Sequence, residues 1–276
     1  MITPRSNYEL KKPEKKYLWK FMDMHKFIAF LNSKELFFGN LIDFEDKLEG
    51  CTELTPFLLL KDLYSSGLKD NKLPRQTDGA HTHMQRKAFL NRIVALKQMQ
   101  KRYYANCFYE SNLESKAMWS LFASTDGVAL KFASAELWEY IKKYCYINLR
   151  DKFFLSSDKI EYRNLLHLGG KEIEELPQQE YFNPYVKDEL YSNEKEYRFL
   201  LEEWKDNSER PIVKLNEWTD VEFDIYLYSD IEDWKWHSIS ELTKKYGLIK
   251  SLNKSKNITK TQIYTQLLIS LMDSKI

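Results

Sequence analysis

Apolar residues along this chain come in short blocks of two spacings, every second position or every third to fourth, divided by charged or Pro- and Gly-containing stretches. Tyr17-Leu18-Trp19-Lys20-Phe21 is short, aromatic and partly alternating, which predicts a strand. Asp23 then stands as an N-cap for a helix over Met24 to Asn32, where Phe27, Ile28 and Leu31 recur at helical spacing. Glu35 to Phe38 predicts a second strand, followed by the acidic loop Asp43 to Gly50. A mostly helical region is expected from Leu54 to Arg102, interrupted by the polar loop Lys69 to Gly79 with its Pro74.

Strands are expected again over Tyr104 to Tyr109 and Gly127 to Phe132, with a helix through Met118 to Phe122 between them. A helix over Ala135 to Lys143 and short strands near Tyr144 to Asn148 and Lys159 to Tyr162 follow, then a hydrophilic excursion or helix from Lys171 to Glu180. Glu196 to Glu202, Pro211 to Leu215 and Val221 to Tyr228 are short, aromatic or β-branched, and predict late strands. Helices are expected from Ile231 to Tyr246 and from Thr259 to Met272, the linker Asn253 to Asn257 freeing the last one to pack on the body or on a second subunit. Strands and helices mix without regular βαβ alternation. The expected class is therefore α+β: a mixed, mainly antiparallel sheet with flanking helices in a single domain over 1–252, a helical insertion at about 54–102, and a linker with C-terminal helix over 253–276.

The stretch Asn193 to Leu201 changes this picture most. Side chains of a strand alternate between faces, so Tyr197, Phe199 and Leu201 fall on one side, and Glu194, Glu196 and Arg198 on the other. Charges at every second position are what an ordinary half-buried strand presents to water. The same row is also what a site built on a strand requires.

Composition narrows the functional classes. With 276 residues, 43% of them hydrophobic, the chain can bury a sizeable core. Its 42 basic and 41 acidic residues nearly cancel, so no global field draws it to nucleic acid or an anionic membrane. The polar Met1 to Lys16 and the lack of a long apolar run read as a soluble, cytoplasmic protein without a membrane segment. Cys51, Cys107 and Cys145 are few, odd in number and far apart, as reduced thiols in or near the core would be. His81 and His83 would share one side of an extended segment but lack a third ligand, so no metal site is assigned. No glycine falls in a phosphate-loop arrangement, and no Ser or Cys stands in a nucleophile-elbow context.

An ordered series of short signatures runs through the chain: Leu18 to Phe21, Glu35 to Phe38, Asp43-Phe44 with Asp46 and Glu49, Cys107-Phe108, Met118-Trp119-Ser120 and Gly127 to Leu130. It continues with Phe182, Lys187, Glu194 to Arg198 and Val221 to Leu227. Together these resemble the bacterial family designated domain of unknown function 2971 (DUF2971), from about Leu18 to Gly247. The resemblance implies a site assembled from polar and aromatic groups of several elements, among them Trp119, Ser120, Lys187 and Arg198. The order of parts is also similar to that of NAD-dependent ADP-ribosyltransferases, which carry a Glu-x-Glu at the head of a late strand. That similarity implies NAD as substrate. Glu196 would stabilise positive charge on the nicotinamide ribose and Glu194 would orient the acceptor or take its proton. Lys20 would hold ribose or pyrophosphate, and Phe37 or Phe38 would stack on nicotinamide. It further implies an effector, such as a toxin in bacterial anti-phage defence, with a protein or nucleic-acid acceptor and a partner or inhibitor protein.

Two other classes stay open on the residues alone. The basic stretches Arg86 to Arg102 and Lys244 to Lys260 suit a nucleic-acid-acting protein, although a solvated helix face is the commoner origin of such density. The 18 tyrosines and 7 tryptophans suit a binding component that performs no chemistry.

Overall fold

A computed structural model describes residues 8–52, 55, 80–165, 182–205, 209–255 and 257–273. The chain opens with strand β1 (Tyr17–Met22), helix α1 (Met24–Ser33) and the short strands β2 (Glu35–Phe37) and β3 (Gly39–Asn40). Helix α2 (Ala80–Lys101), β4 (Tyr103–Glu110), β5 (Val128–Ala133) and α3 (Ser134–Asn148) follow. Next come β6 (Phe153–Lys159), β7 (Glu161–Arg163), β8 (Val186–Asp188) and β9 (Glu196–Glu203). The chain ends with β10 (Ile212–Lys214), β11 (Phe223–Leu227), helix α4 (Asp233–Lys245), β12 (Leu252–Lys254) and helix α5 (Asn257–Asp273).

One sheet has the order β12-β11-β5-β1-β4-β9-β6, with β3 paired to β4 as its eighth strand. Every neighbouring pair in it is antiparallel except β11 with β12. With helices flanking it, this is the expected α+β class. The smaller pairs β2 with β10 and β7 with β8 stand apart from it.

The two faces of the sheet are filled differently, and that positions the site. Leu18, Phe108, Leu130, Phe132, Tyr197 and Phe199 point to one face and form the main core with Phe27, Phe30 and Leu31 of α1 and Leu137, Trp138 and Ile141 of α3. Asp23 starts α1 as the sequence predicts, its side chain accepting from the Lys26 backbone N–H at 2.8 Å. The opposite face carries two smaller core clusters. One cluster there joins Trp19, Phe21 and Tyr109 to Met118 and Trp119, the second joins Leu41, Tyr103, Ala105 and Leu200 to Ile160 and Tyr185.

A short helix Lys116–Met118 runs into a π-helical turn, Trp119–Ala123, and the chain then passes beneath β1 to enter β5. At Gly127 a Cβ atom would stand 2.3 Å from the Ala123 carbonyl oxygen and 2.4 Å from that of Met22. Neither backbone oxygen can rotate away. Gly127→Ala is expected to lower stability by about 2 kcal/mol or more, measured by urea denaturation; a loss below about 0.5 kcal/mol would contradict this packing.

Four expectations are corrected. Tyr144 to Asn148 is the last turn and a half of α3, with Cys145 buried one turn beyond Ile141. Lys159 to Tyr162 divides between β6 and β7, and the preceding Phe153–Lys159 segment, unassigned from sequence, is a strand beside β9. The linker is not free at its start, because Leu252–Lys254 adds a parallel strand to β11. His81 and His83 lie in the helical backbone of α2, where an extended segment was expected. The expected polar loop Lys69 to Gly79, the helical stretch before it beyond Thr55 and the Lys171 to Glu180 excursion lie outside the described residues. No helix among the described residues is long and apolar enough to cross a membrane.

Candidate functional site

The charged face of β9 is not solvated. Glu196, Arg198, Leu200 and Glu202 are all buried, and so are Tyr197, Phe199 and Leu201 opposite them. Antiparallel partners share a face, so the register Cys107↔Arg198 puts the Cys107 side chain beside Arg198, while Asn106 shares the core face with Phe199.

Arg198, 0% exposed, is the hub. Its Nε donates to Glu196 Oε1 at 2.7 Å, its Nη2 to Glu49 Oε1 at 2.9 Å, and its Nη1 to the Pro184 carbonyl at 2.6 Å. Lys187 completes the network: its Nζ donates to Glu194 Oε2 at 2.6 Å and lies 3.5 Å from Glu196 Oε2. Four separate pieces of chain therefore meet. Glu49 comes from the loop after β3, Lys187 from β8, Glu194 from the 3-10 turn Glu189–Glu194, and Glu196 with Arg198 from β9.

Local geometry brings each piece in. Gly50 has φ +76°, and this left-handed turn closes the acidic loop directly after Glu49. Its carbonyl accepts from the Asn183 N–H, tying the loop to the segment that leads into β8. Tyr162 and Lys187 are parallel partners in the β7–β8 pair, and the Tyr162 hydroxyl accepts from the Glu196 backbone N–H at 2.9 Å. Lys195, at φ 38°, turns the chain from the 3-10 segment into β9, so that Glu194 and Glu196 both reach Lys187 although only Glu196 is in the strand.

Burial would push the Glu196 carboxyl up, but the adjoining Arg198 and Lys187 outweigh it and hold the group down at about 2, so it is an anion at neutral pH. Glu49 goes the other way: burial dominates over the pull of Arg198, and its carboxyl is raised. Burial also acts against Lys187, yet Glu196, Glu49 and Glu194 around it leave its ammonium raised and firmly charged. The Cys107 thiol, raised by burial and by the nearby Glu196, is no nucleophile in this state. Three carboxylates face two cations, so the network holds one negative charge in excess when every acid is ionised.

Because the Glu49 carboxyl is raised, its ionisation weighs against the fold as pH rises above the ordinary glutamate value of 4.5. Glu49→Gln keeps an acceptor oxygen for Arg198 and removes the excess charge. Its expected cost at pH 7 is below about 1 kcal/mol by urea denaturation, and a loss of 3 kcal/mol or so would show that the Glu49 charge itself holds Arg198.

Of the residues the sequence singles out, Glu194, Glu196, Arg198 and Lys187 come together in this network. Four others do not. Lys20 lies across the sheet: its Nζ donates to Asn106 Oδ1 and to the Cys107 carbonyl, both at 2.7 Å, and sits 5.0 Å over the Phe108 ring on the core face. Burial lowers its pKa. Phe38 is wholly buried in the main core, with no face left for a nicotinamide ring. Trp119 is 1% exposed, packed edge-on against Phe21 and Tyr228, with its Nε1 donating to Glu114. Ser120 is exposed, and its hydroxyl donates to the Lys116 carbonyl one turn back. Lys187 and Arg198, expected from the resemblance as cofactor contacts, grip carboxylates and backbone.

Glu49, Tyr162 and Cys107 are members that the sequence did not single out as site residues. Glu49 and Cys107 do stand in the ordered series of signatures, without a role attached to them, and Tyr162 has no signal in the sequence. Two aromatic rings border the cations: Lys187 Nζ lies 4.5 Å over Tyr191, which is 37% exposed, and the Arg198 guanidinium 5.8 Å from Phe44. Tyr191 is thus the aromatic at the open margin of the network. Among the described residues no group of three His, Cys, Asp or Glu side chains could hold a metal ion. Compared with known proteins, the chain matches no family model, no curated protein and no solved structure.

Proposed function

We propose that the protein is an NAD-using effector, an ADP-ribosyltransferase or NAD hydrolase, with Glu196 as its working carboxylate. The observation that carries this reading is the state of Glu196 at the head of β9: an anion fixed on one oxygen by Arg198 and approached on the other by Lys187. When the bond between nicotinamide and ribose breaks, positive charge develops on the ribose, and a carboxylate already ionised and held stabilises it without reorganising. Glu194, on the same lysine and closer to solvent, is the group to orient an acceptor or take its proton. Exposed Tyr191 beside Lys187 takes over the stacking role that the buried Phe38 cannot fill.

A binding component without NAD chemistry is the second reading. It is favoured by the internal pairing of the network, since Arg198 directs Nε, Nη1 and Nη2 to Glu196, Pro184 and Glu49 of its own chain. The two readings separate on one assay: release of free nicotinamide from NAD by the purified protein, with and without total cell lysate as acceptor source. Release in buffer alone identifies a hydrolase. Release that needs lysate, with label from NAD appearing on a macromolecule, identifies a transferase. No release under either condition contradicts NAD chemistry and leaves the binding component.

A further inference from the structure

Helix α5 presents a surface that the body of the fold does not cover. Ile263, Tyr264, Leu267, Leu268, Leu271 and Met272 are each 50–71% exposed. At 100° per residue these six fall within one half of the helix circumference, with Thr265, Gln266, Ser270 and the single apolar Ile269, 54% exposed, on the other half. We propose that this stripe is a self-association surface, and that the chain pairs with a second copy of itself, α5 against α5.

Three observations choose a second copy over other occupants. The first is charge. From Thr261 to Met272 there is no charged residue, so two copies meet without like-charge repulsion, and there is nothing to select an acidic or basic partner. The second is area. A fully exposed apolar side chain of this size presents roughly 100–150 Å². The stripe therefore offers roughly 400–500 Å² per copy, and two facing stripes bury up to roughly 1,000 Å², the scale of a weak, concentration-dependent pairing. The third is the other half of the helix. A helix lying in a membrane surface carries Lys or Arg there to meet headgroups, and α5 offers Thr265, Gln266, Ile269 and Ser270, none of them charged. The spacing of Tyr264, Leu267 and Leu271 is that of an a-d-a seam, which lets side chains of two helices interdigitate.

The test compares the wild-type chain with Leu267→Glu/Leu268→Glu by sedimentation velocity over a roughly hundredfold range of concentration. Both leucines are exposed, so the variant folds, which an unchanged thermal melt verifies. The expected result is a dimer for the wild type and a monomer for the variant. A wild-type chain that stays monomeric throughout, or a dimer that survives the double substitution, overturns the proposal. So does a monomer that floats with phosphatidylcholine/phosphatidylglycerol vesicles, which would place the stripe on a membrane.

A second variant reads the contact itself. Leu267 lies on that seam and at the middle of the stripe, so it stands close to its own counterpart whether the helices run parallel or antiparallel. Leu267→Cys treated with a short bis-maleimide should give a covalent dimer that the wild type, with its free Cys51, Cys107 and Cys145, does not give. Equal cross-linking of the two chains overturns the α5 contact.

Discussion

Replacing Arg198 with methionine costs on the order of 3–5 kcal/mol at neutral pH, the largest loss expected of any substitution in the network. Methionine matches the length of the side chain and can pack in its place, so the loss comes from what is left behind. Glu49 and Glu196, 1% and 5% exposed, would keep their charges in a site where Lys187 alone opposes them, and the Pro184 carbonyl would lose its donor. A domain whose whole stability is about 5–15 kcal/mol loses a large part of it by such a change. The pH dependence gives the cause away. Without the guanidinium both carboxyls are pushed up, and protonating them relieves the penalty, so the gap between variant and wild type narrows as pH falls from 7 toward 5. Urea denaturation at the two pH values measures it. A gap below about 1 kcal/mol at pH 7 would mean that the guanidinium is solvated and the network is not buried.

Glu196→Gln is the second large effect. The folded-state pKa of Glu196, about 2, lies below the ordinary 4.5, so its ionisation contributes stability that is fully present above about pH 4.5 and is lost as pH falls toward 2. The size of that contribution is on the order of 3 kcal/mol. Glutamine keeps the shape and loses the charge, so wild type and variant should differ by about this much at pH 7 and converge as pH falls through that window. Glu49 opposes this trend in the wild type, since its raised carboxyl favours the fold while protonated. For that reason Glu196→Gln and Glu49→Gln should differ in magnitude at neutral pH although both remove one carboxylate from the same arginine. Equal losses in the two variants would contradict the division of roles.

The sequence shows most of this fold where a local rule acts. Asp23 before Met24, with Phe27 and Leu31 a turn apart, is a capped helix in the sequence and in space. It misleads where tertiary context overrides composition. Tyr144 to Asn148 has the aromatic and β-branched content of a strand, yet Cys145 continues the buried row Leu137, Ile141, and packing on the core extends the helix. Leu252 to Lys254 is too polar and too short to read as a strand, and becomes one by pairing with β11.

The candidate site was half legible for the same reason. The alternation Glu196, Tyr197, Arg198 specifies a strand and its two faces, but cannot say whether the charged face meets water or other charges. What decides it is Glu49, 149 residues away along the chain, and Lys187, from a strand in a separate small sheet. Nothing in a local window carries those contacts. Lys20 shows the converse: its alternation with Trp19 and Phe21 places it on the core face, opposite Trp19, but only the register of β4 against β9 reveals that Glu196 is on the other side.

The most direct measurement of the central claim is the rate of nicotinamide release from NAD by Glu196→Gln beside the wild type, at a temperature where melts and urea curves show both fully folded. An ionised carboxylate next to developing ribose charge predicts a loss of at least about a hundredfold in rate, with NAD affinity little changed. A folded Glu196→Gln variant that releases nicotinamide as fast as the wild type would contradict the account, and would assign the buried network to holding the fold alone.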